Sequence, residues 1–325
     1  MDFRLDDDQL ALQETIGRFC AARYPLDGLA DRPGPALDRS AWAELADLGV
    51  LSLLLPEAVG GLGLGVVGAA IVFEQLGAHL VPGPLVWSAL AALHLPEVAT
   101  GGRIAGGTVD DGTIPCFVEH ADSIDDLLVL RPDGVVLVDR AELGSGAALD
   151  GLDPLNAISS FDRLPAGTQV GDAVTATRLR HVGTVLVAAL QLGIAQASLD
   201  VAVAYSLERE QFGVPIGSFQ ALKHLMADMY VRVGLARSAT YAGAAVLDDP
   251  VVGDADHDAS AAKLLAGEAA IDNARGALQV LGGMGFTWEM PPNFLLKRAW
   301  VLDQTFGTGA AHVLAISAAL AKEVA

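Results

Sequence analysis

The sequence predicts a mainly α protein with a small β domain in its middle. Three observations carry this. Residues 1 to about 85 show helical spacing of apolar side chains. Between about 100 and 175, Gly, Asp and Pro increase and short β-branched runs appear. From about 176 to the end, long Ala-rich apolar segments return, separated by short breaks. The expected domains are an N-terminal helical domain (1–99), a β domain (100–175) and a C-terminal helical bundle (176–325).

Each element has its own signal. Leu10, Leu12, Ile16 and Phe19 form a rough helical stripe after an acidic first turn. Ser40 is placed to cap a helix through Leu48 with Trp42 and Leu45 inward, and Gly49 ends it. Leu54-Leu-Pro-Glu-Ala-Val-Gly-Gly-Leu-Gly-Leu-Gly65 reads as a helix connection. The helix after it carries Phe73-Glu-Gln-Leu-Gly77 and stops before Pro82 and Pro84. Leu127–Leu130 and Val135–Val138 read as strands, and Arg131-Pro-Asp-Gly134 between them as a hairpin turn. Helices follow at about 178–208, 218–247, 255–281, 291–302 and 309–323. Asp248-Asp-Pro250 and Gly253 mark a loop, and Pro291-Pro292 opens a helix. Four long helices with short links predict an antiparallel bundle.

Composition bounds the function. Hydrophobic residues make up 52% and charged residues 18%, so a sizeable core is expected. The formal net charge of −20 argues against nucleic acid and against anionic membranes. Cys20 and Cys116 make neither a disulfide framework nor a metal spacing. The acidic start, Met1 to Asp8, is not a signal peptide, and a cytoplasmic setting is expected. Val182 to Leu199 holds no charged residue but contains Gln191, Gln196 and Ser198, and Asp200 follows. It reads as a buried bundle helix rather than a membrane span.

The stretch Glu208-Arg-Glu-Gln-Phe-Gly-Val-Pro-Ile-Gly-Ser-Phe-Gln220 links two long helices. Pro215, Gly213 and Gly217 break helix, and Ser218 is placed to cap the next one. The corner offers a forked cation in Arg209, aromatic faces in Phe212 and Phe219, and amides in Gln211 and Gln220. That set suits a phosphorylated, aromatic ligand. The alternatives are an ordinary surface turn, Arg209 paired with Glu208 or Glu210, and Phe212 in a core. About seventy residues on stands Gln279-Val-Leu-Gly-Gly-Met-Gly-Phe286. Gly282 and Gly283 let backbone N–H groups approach an anion. Gln279 is an amide that could instead cap a bundle interior.

In combination, order, spacing and helical context, these two stretches resemble the paired signatures of the acyl-CoA dehydrogenase family. There they hold the pyrophosphate and adenosine half of an FAD bound mostly by the neighbouring subunit. The resemblance implies the family's fold: N-terminal helices, a middle β domain and a C-terminal four-helix bundle. Leu54–Gly65 is similar to the family's P-E-x-x-G-G-x-G loop. Gly101–Thr108 and Ile124–Leu130 look related to its β domain, but the T-E-P loop and W-I-T/S strand that contact the flavin ring are missing. The β domain reads as shortened.

The family removes two hydrogens from adjacent carbons of a thioester: a glutamate takes the proton and the flavin takes the hydride. Lys297-Arg-Ala299 matches the R-D-A that precedes the commoner glutamate motif, Y-E-G-T. Counting on gives Thr305-Phe-Gly-Thr308, with Phe306 at the glutamate position. Gly307 and Thr308 match, and Thr308 joins the expected cofactor set on that ground. The second glutamate position falls near Gly183, followed by Thr184. Asp303 is the nearest acid, so no catalytic residue is assigned. Short, base-lacking chains of this kind resemble one half of the α2β2 acyl-CoA dehydrogenases of bacterial steroid degradation. The resemblance thus implies an FAD shared across a subunit interface, an acyl-CoA substrate, a base-bearing partner subunit or a homo-oligomer, and an electron-transfer-flavoprotein type of acceptor. A flavin-free scaffold or acyl-CoA-binding relative is the alternative, and a self-sufficient homo-oligomeric dehydrogenase is a third.

Overall fold

A computed structural model describes residues 5–32 and 36–324 of the chain, so Met1–Arg4 of the acidic start lie outside the described residues. In chain order the helices before the sheets are α1 (Asp7–Arg23), α2 (Arg39–Asp47), α3 (Gly65–Ala78), α4 (Leu85–Ala91) and α5 (Pro96–Ala99). Then come β1 (Ala105–Val109), β2 (Cys116–Glu119), β3 (Asp126–Arg131), β4 (Gly134–Asp139), α6 (Arg140–Leu143), β5 (Ala147–Leu149), β6 (Ile158–Phe161) and β7 (Thr168–Asp172). The rest is α7 (Ala173–Glu208), β8 (Glu210–Gln211), β9 (Val214–Pro215), α8 (Gln220–Asp248), α9 (Ala255–Leu281), α10 (Pro291–Gln304) and α11 (Gly309–Val324). The fold is mainly helical with a small sheet region, as the sequence predicts.

The chain divides into two compact units. One comprises Met1–Arg32, Ala70–Val81 and Thr184–Ala325; the other comprises Pro33–Ala69 and Pro82–Gly183. The second unit holds both larger sheets. Its first helix, α2, is capped by Asp38, whose carboxylate accepts from Ser40 N at 2.9 Å and Ala41 N at 3.4 Å. The expected cap, Ser40, lies inside the helix. Asp wins because its carboxylate also meets the positive helix end. Trp42 and Leu45 are buried as their spacing implies.

One sheet runs β1-β3-β4-β7, with β1 parallel to β3 and the other pairs antiparallel. Arg131 pairs with Gly134 across the β3–β4 turn, where the sequence places the hairpin. Leu127 to Leu130 are all buried, the mark of a strand covered on both faces. Ser88 of α4 ties this sheet down: its hydroxyl donates to Ala105 O at 2.7 Å and accepts from Ala105 N at 3.2 Å. The second sheet is β2-β6-β5, antiparallel throughout.

The first unit is helical apart from the β8–β9 hairpin. Helix α9 packs against α8, α10 and α11. Asn273 of α9 joins it to two more helices, donating from Nδ2 to Ala195 O on α7 (3.2 Å) and Met229 O on α8 (3.0 Å). The end of α3 meets α7 at a glycine pair: a Cβ on Gly77 would strike Leu190 O, and one on Gly193 would strike Glu74 O. Only glycine allows backbones that close. Helix α7 is long and apolar enough to cross a membrane by length and composition, yet its most apolar window is 89% buried. On α1, Ile16 and Cys20 form the buried stripe, while Leu10 is exposed.

Candidate functional site

The Glu208–Gln220 corner is built more tightly than a plain turn. Glu210–Gln211 pairs with Val214–Pro215 as a two-stranded hairpin. Its two central residues, Phe212 and Gly213, have φ of 56° and 78°. Positive φ at both is what a two-residue hairpin of this twist requires, and it is easy for glycine but strained for phenylalanine. Arg209 N donates to Tyr205 O at 2.9 Å and Arg209 O accepts from Ile216 N at 2.8 Å, so its backbone is pinned at both ends. Ser218 does not cap the next helix. Its hydroxyl donates to Pro215 O at 2.7 Å, and Phe219 holds the cap position without a side-chain bond. The hydroxyl is taken up in closing the hairpin base.

The side chains of this corner point outward. Phe212 is 93% exposed and stands edge-on to Phe219, with ring centroids 6.1 Å apart. The guanidinium of Arg209 is exposed and has no partner among the described residues, so neither Glu208 nor Glu210 pairs with it. Gln211 spends one amide hydrogen on Glu210 O at 2.7 Å. Gln220 and Gln279 are exposed.

The hairpin of α8 and α9 brings the two sequence stretches together. Asn273 and Gly276 lie across from Met229, and Asp258 and Ala262 across from Gly243. Carrying that antiparallel pairing to the open end sets Gln220 level with Gly282 and Gly283. The end of α7 is held there as well: Ser206 donates to Met226 Sδ at 3.6 Å and packs on Gly217. Helix α9 ends at Gly282 with a positive φ of 61°, and a Cβ on Gly282 or Gly283 would meet nothing within 4 Å. These glycines therefore leave open backbone at the same end of the α8–α9 pair as Gln220. The Gly282 N–H is already spent on Leu278 O, closing the last turn of α9, so it is not the free donor the sequence suggests. The remaining set, a forked guanidinium, side-chain amides and the backbone at Gly283 that no Cβ screens, fits a pyrophosphate.

Thr308 is not part of this cluster. It precedes α11, its hydroxyl accepting from Ala311 N at 3.3 Å, and its neighbour Gly309 faces Leu264. Along α9, Leu264 and Gly282 are separated by roughly 27 Å at 1.5 Å per residue. Thr308 therefore stands at a second place, the turn that also carries Phe306. There Phe306 has φ of 58° and is half-buried. Its carbonyl accepts from the ring of His312, Nε2 lying 3.1 Å away. Gly183 and Thr184, at the other expected base position, are buried on α7 and bring no carboxylate.

Behind the Phe306 turn lies a buried polar group that the sequence reading missed. Lys263 of α9 is 1% exposed, and its Nζ reaches the carbonyl of Asp303 at 3.4 Å. Burial pushes its pKa down to about 8, with Asp303 pulling the other way. Burial first, then Lys263, also pushes His312 down, while its bond to Phe306 opposes this. The signal was present in Ala259, Lys263, Ala266 and Ala270, which share one helical face with a cation in its middle.

Residues 6–103 match the model of the acyl-CoA dehydrogenase N-terminal domain, and residues 171–321 that of the acyl-CoA dehydrogenase C-terminal domain. The chain is 36% identical over 281 residues to the acyl-CoA dehydrogenase IpdE2 of Mycolicibacterium smegmatis, covering 83% of this chain and 84% of the relative. Its fold is similar to a chain of the ChsE4-ChsE5 complex of Mycobacterium tuberculosis, with a TM-score of 0.83, 25% identity and 99% of each chain covered. It is also similar to the Tcur3481-Tcur3483 steroid ACAD, with a TM-score of 0.82 and 25% identity over 98% of this chain and 99% of that one.

Proposed function

The chain belongs to the acyl-CoA dehydrogenase family, and from that premise we propose that it is one subunit of an FAD-dependent acyl-CoA dehydrogenase with divided labour. This chain supplies a grip for the adenosine and pyrophosphate of the flavin, and a homologous partner subunit supplies the carboxylate base. The observation that carries the reading is Arg209, a cation pinned by its backbone, exposed on the corner between α7 and α8 and unpaired among the described residues.

Bound FAD would accept the hydride; no side chain of this protein can do so. The residues here have narrower tasks. Arg209 and the backbone at Gly283 bind and orient the phosphates. Gln211, Gln220 and Gln279 offer amides to the nucleotide, and Phe212 and Phe219 offer aromatic faces. Thr308, on the separate turn, would serve a different flavin from the one Arg209 holds, since the two places lie far apart along α9. Phe306 cannot accept a proton, so the turn that bears the base in the resembling pattern is inert in this chain.

A partner is further supported by the surface. Tyr230, Val231 and Leu235 of α8 are exposed on one side of the helix, as are Phe286 and Trp288 after α9. The ChsE4-ChsE5 structure is itself a complex. We propose an α2β2 assembly, a steroid-derived acyl-CoA as the substrate class by similarity to the steroid ACAD, an electron-transfer-flavoprotein type of acceptor, and a cytoplasmic setting.

The test is co-expression with a homologous base-bearing chain, followed by a flavin absorbance spectrum and the subunit ratio. The expected result is one chain of each kind per flavin and little FAD on this chain alone. Stoichiometric oxidised flavin on the lone chain would replace the divided site with a homo-oligomer. A flavin-free complex would leave a scaffold.

A further inference from the structure

Gln191 of α7 is wholly buried, and neither its Oε1 nor its Nε2 has a hydrogen-bond partner among the described residues. A buried amide left dry at both atoms is costly, and native interiors satisfy such groups with protein or with ordered water. Three neighbouring features point into the same space. A Cβ on Gly267 of α9 would lie 3.3 Å from Gln191 Nε2 and 3.4 Å from Asp303 Oδ1. Those two polar atoms thus stand less than about 7 Å apart with no bond between them among the described residues, and a water with two hydrogen bonds of about 2.9 Å bridges atoms about 5 Å apart. Gly267 sits inside a helix, where alanine is the better helix former; a Cβ there would press on both polar atoms, so the glycine is what lets them approach α9 this closely. Gly309 also faces Asp303 Oδ1, at 4.0 Å from its would-be Cβ.

The third feature is Lys263. It lies one turn before Gly267 on the same face of α9. An ammonium has three donors, and this one makes a single long bond to a carbonyl among the described residues. Asp303 Oδ2 accepts from Gln304 Nε2 at 3.3 Å, while Oδ1, the atom nearest Gly267, has no hydrogen bond among the described residues.

We propose that these three side chains form a chamber built for one internal water molecule, bridging Gln191, Asp303 and Lys263. The ligand is a small neutral molecule that both donates and accepts, because the walls present a cation, a carboxylate and an amide together. The water ties α7 and α9 to the end of α10 and so fixes the turn that carries Phe306 and Thr308. The site is separate from the Arg209 corner and does not rest on the flavin reading.

The experiment replaces Gln191 by Met, which keeps the volume and removes both polar atoms, in the full chain. With a water present, Gln191→Met breaks the bridge and lowers the thermal midpoint by roughly 2–4 °C. It also moves the titration of the Lys263 amine, followed by 15N NMR, below its native midpoint. In a dry chamber the same change deletes two orphaned atoms, so an unchanged or raised midpoint overturns the proposal, as does an unmoved Lys263 titration. A crystal structure of the native chain gives an answer that no variant is needed for. A single solvent peak within hydrogen-bond reach of Gln191 Nε2 and Asp303 Oδ1 is expected, and an empty chamber at high resolution overturns the site.

Discussion

Arg209 and Arg237 are both carried by the helical unit, 28 residues apart, and they are treated in opposite ways. Arg237 is half-buried on α8. Its Nη2 donates to Glu74 Oε1 at 2.8 Å and to Gln196 Oε1 at 3.0 Å. Tyr241 donates to the other Glu74 oxygen at 2.7 Å, and Gln196 passes the chain on to Asp200 at 2.8 Å. Arg209 has its backbone fixed and its guanidinium unpaired in solvent. Interior charge is neutralised by a network because low dielectric makes an unpaired charge expensive. A surface cation that the protein declines to pair, on a backbone it takes trouble to fix, is available for a ligand. The contrast separates structural from functional charge, and it can be broken from either side.

The largest effect is expected at the buried end. Glu74→Ala leaves Arg237 and Tyr241 without their acceptor. Removing one partner of a buried pair costs about 3–5 kcal/mol, and the partial exposure of Arg237 puts this case near the lower figure. Urea unfolding of the full chain checks it. A loss under about 1 kcal/mol would mean that the network is replaceable by water and that Arg237 is no model for a structural cation.

Lys263 gives the next largest effect, with a sign that can be worked out. Its pKa is about 8 folded against an ordinary 10.5. Between those values the unfolded chain binds more protons, so this group's contribution to stability rises with pH across that window. Below about pH 8 its burial penalty is fully present. Lys263→Met should therefore be most stabilising, relative to the native chain, near pH 7. That advantage should shrink by an amount on the order of 3 kcal/mol by pH 10.5. The difference between the two chains, measured by urea unfolding at several pH values, removes the background titration of other groups. A flat difference would place Lys263 in contact with solvent.

These two regions also differ in how well they could be read from sequence. Helix spans were legible because Ala-rich apolar spacing, the loop signals Pro250 and Gly253 and the helix-opening Pro291-Pro292 are local, and the Arg131–Gly134 hairpin was legible for the same reason. The exposed corner was legible as a set of residue types. Its hairpin was not, because Phe at a left-handed position follows from the closing bonds at Arg209 and Ile216, not from its own preference. Ser40 and Ser218 read as caps, but Asp38 caps α2, and the Ser218 hydroxyl closes the hairpin base instead of capping α8. The Gln191–Lys263–Asp303 chamber joins residues far apart in the chain, and only tertiary packing assembles it. Thr308 read as one member of a cofactor set, but α9 separates it from the rest.

A smaller effect is expected for Arg209. A charge-assisted hydrogen bond contributes about 1.5–3 kcal/mol, so Arg209→Ala should weaken FAD retention in the assembled complex roughly ten- to a hundredfold. Arg209→Lys should recover part of this, since a point charge lacks the fork. Stability of the chain should hardly move, in contrast with Glu74→Ala. Flavin content after gel filtration is the measurement. Full occupancy in Arg209→Ala would make the corner an ordinary helix connection.

The smallest effect tests whether the hairpin tip is kept for folding or for binding. Phe212 combines a left-handed backbone with almost complete exposure. A non-glycine residue held there costs about 1 kcal/mol or more, and its one ring contact, edge-on to Phe219, returns about 0.5–1.5 kcal/mol. The two nearly cancel, so packing alone gives phenylalanine no advantage at this position. Phe212→Gly should leave unfolding in urea unchanged or raise stability by up to about 1 kcal/mol. If the exposed ring instead serves a flavin or a partner subunit, the same variant should lose flavin or partner in co-purification while the chain stays folded. Loss of stability without loss of either would show that Phe212 holds the hairpin together. Arg209 would then be the sole side chain at the tip reserved for a ligand.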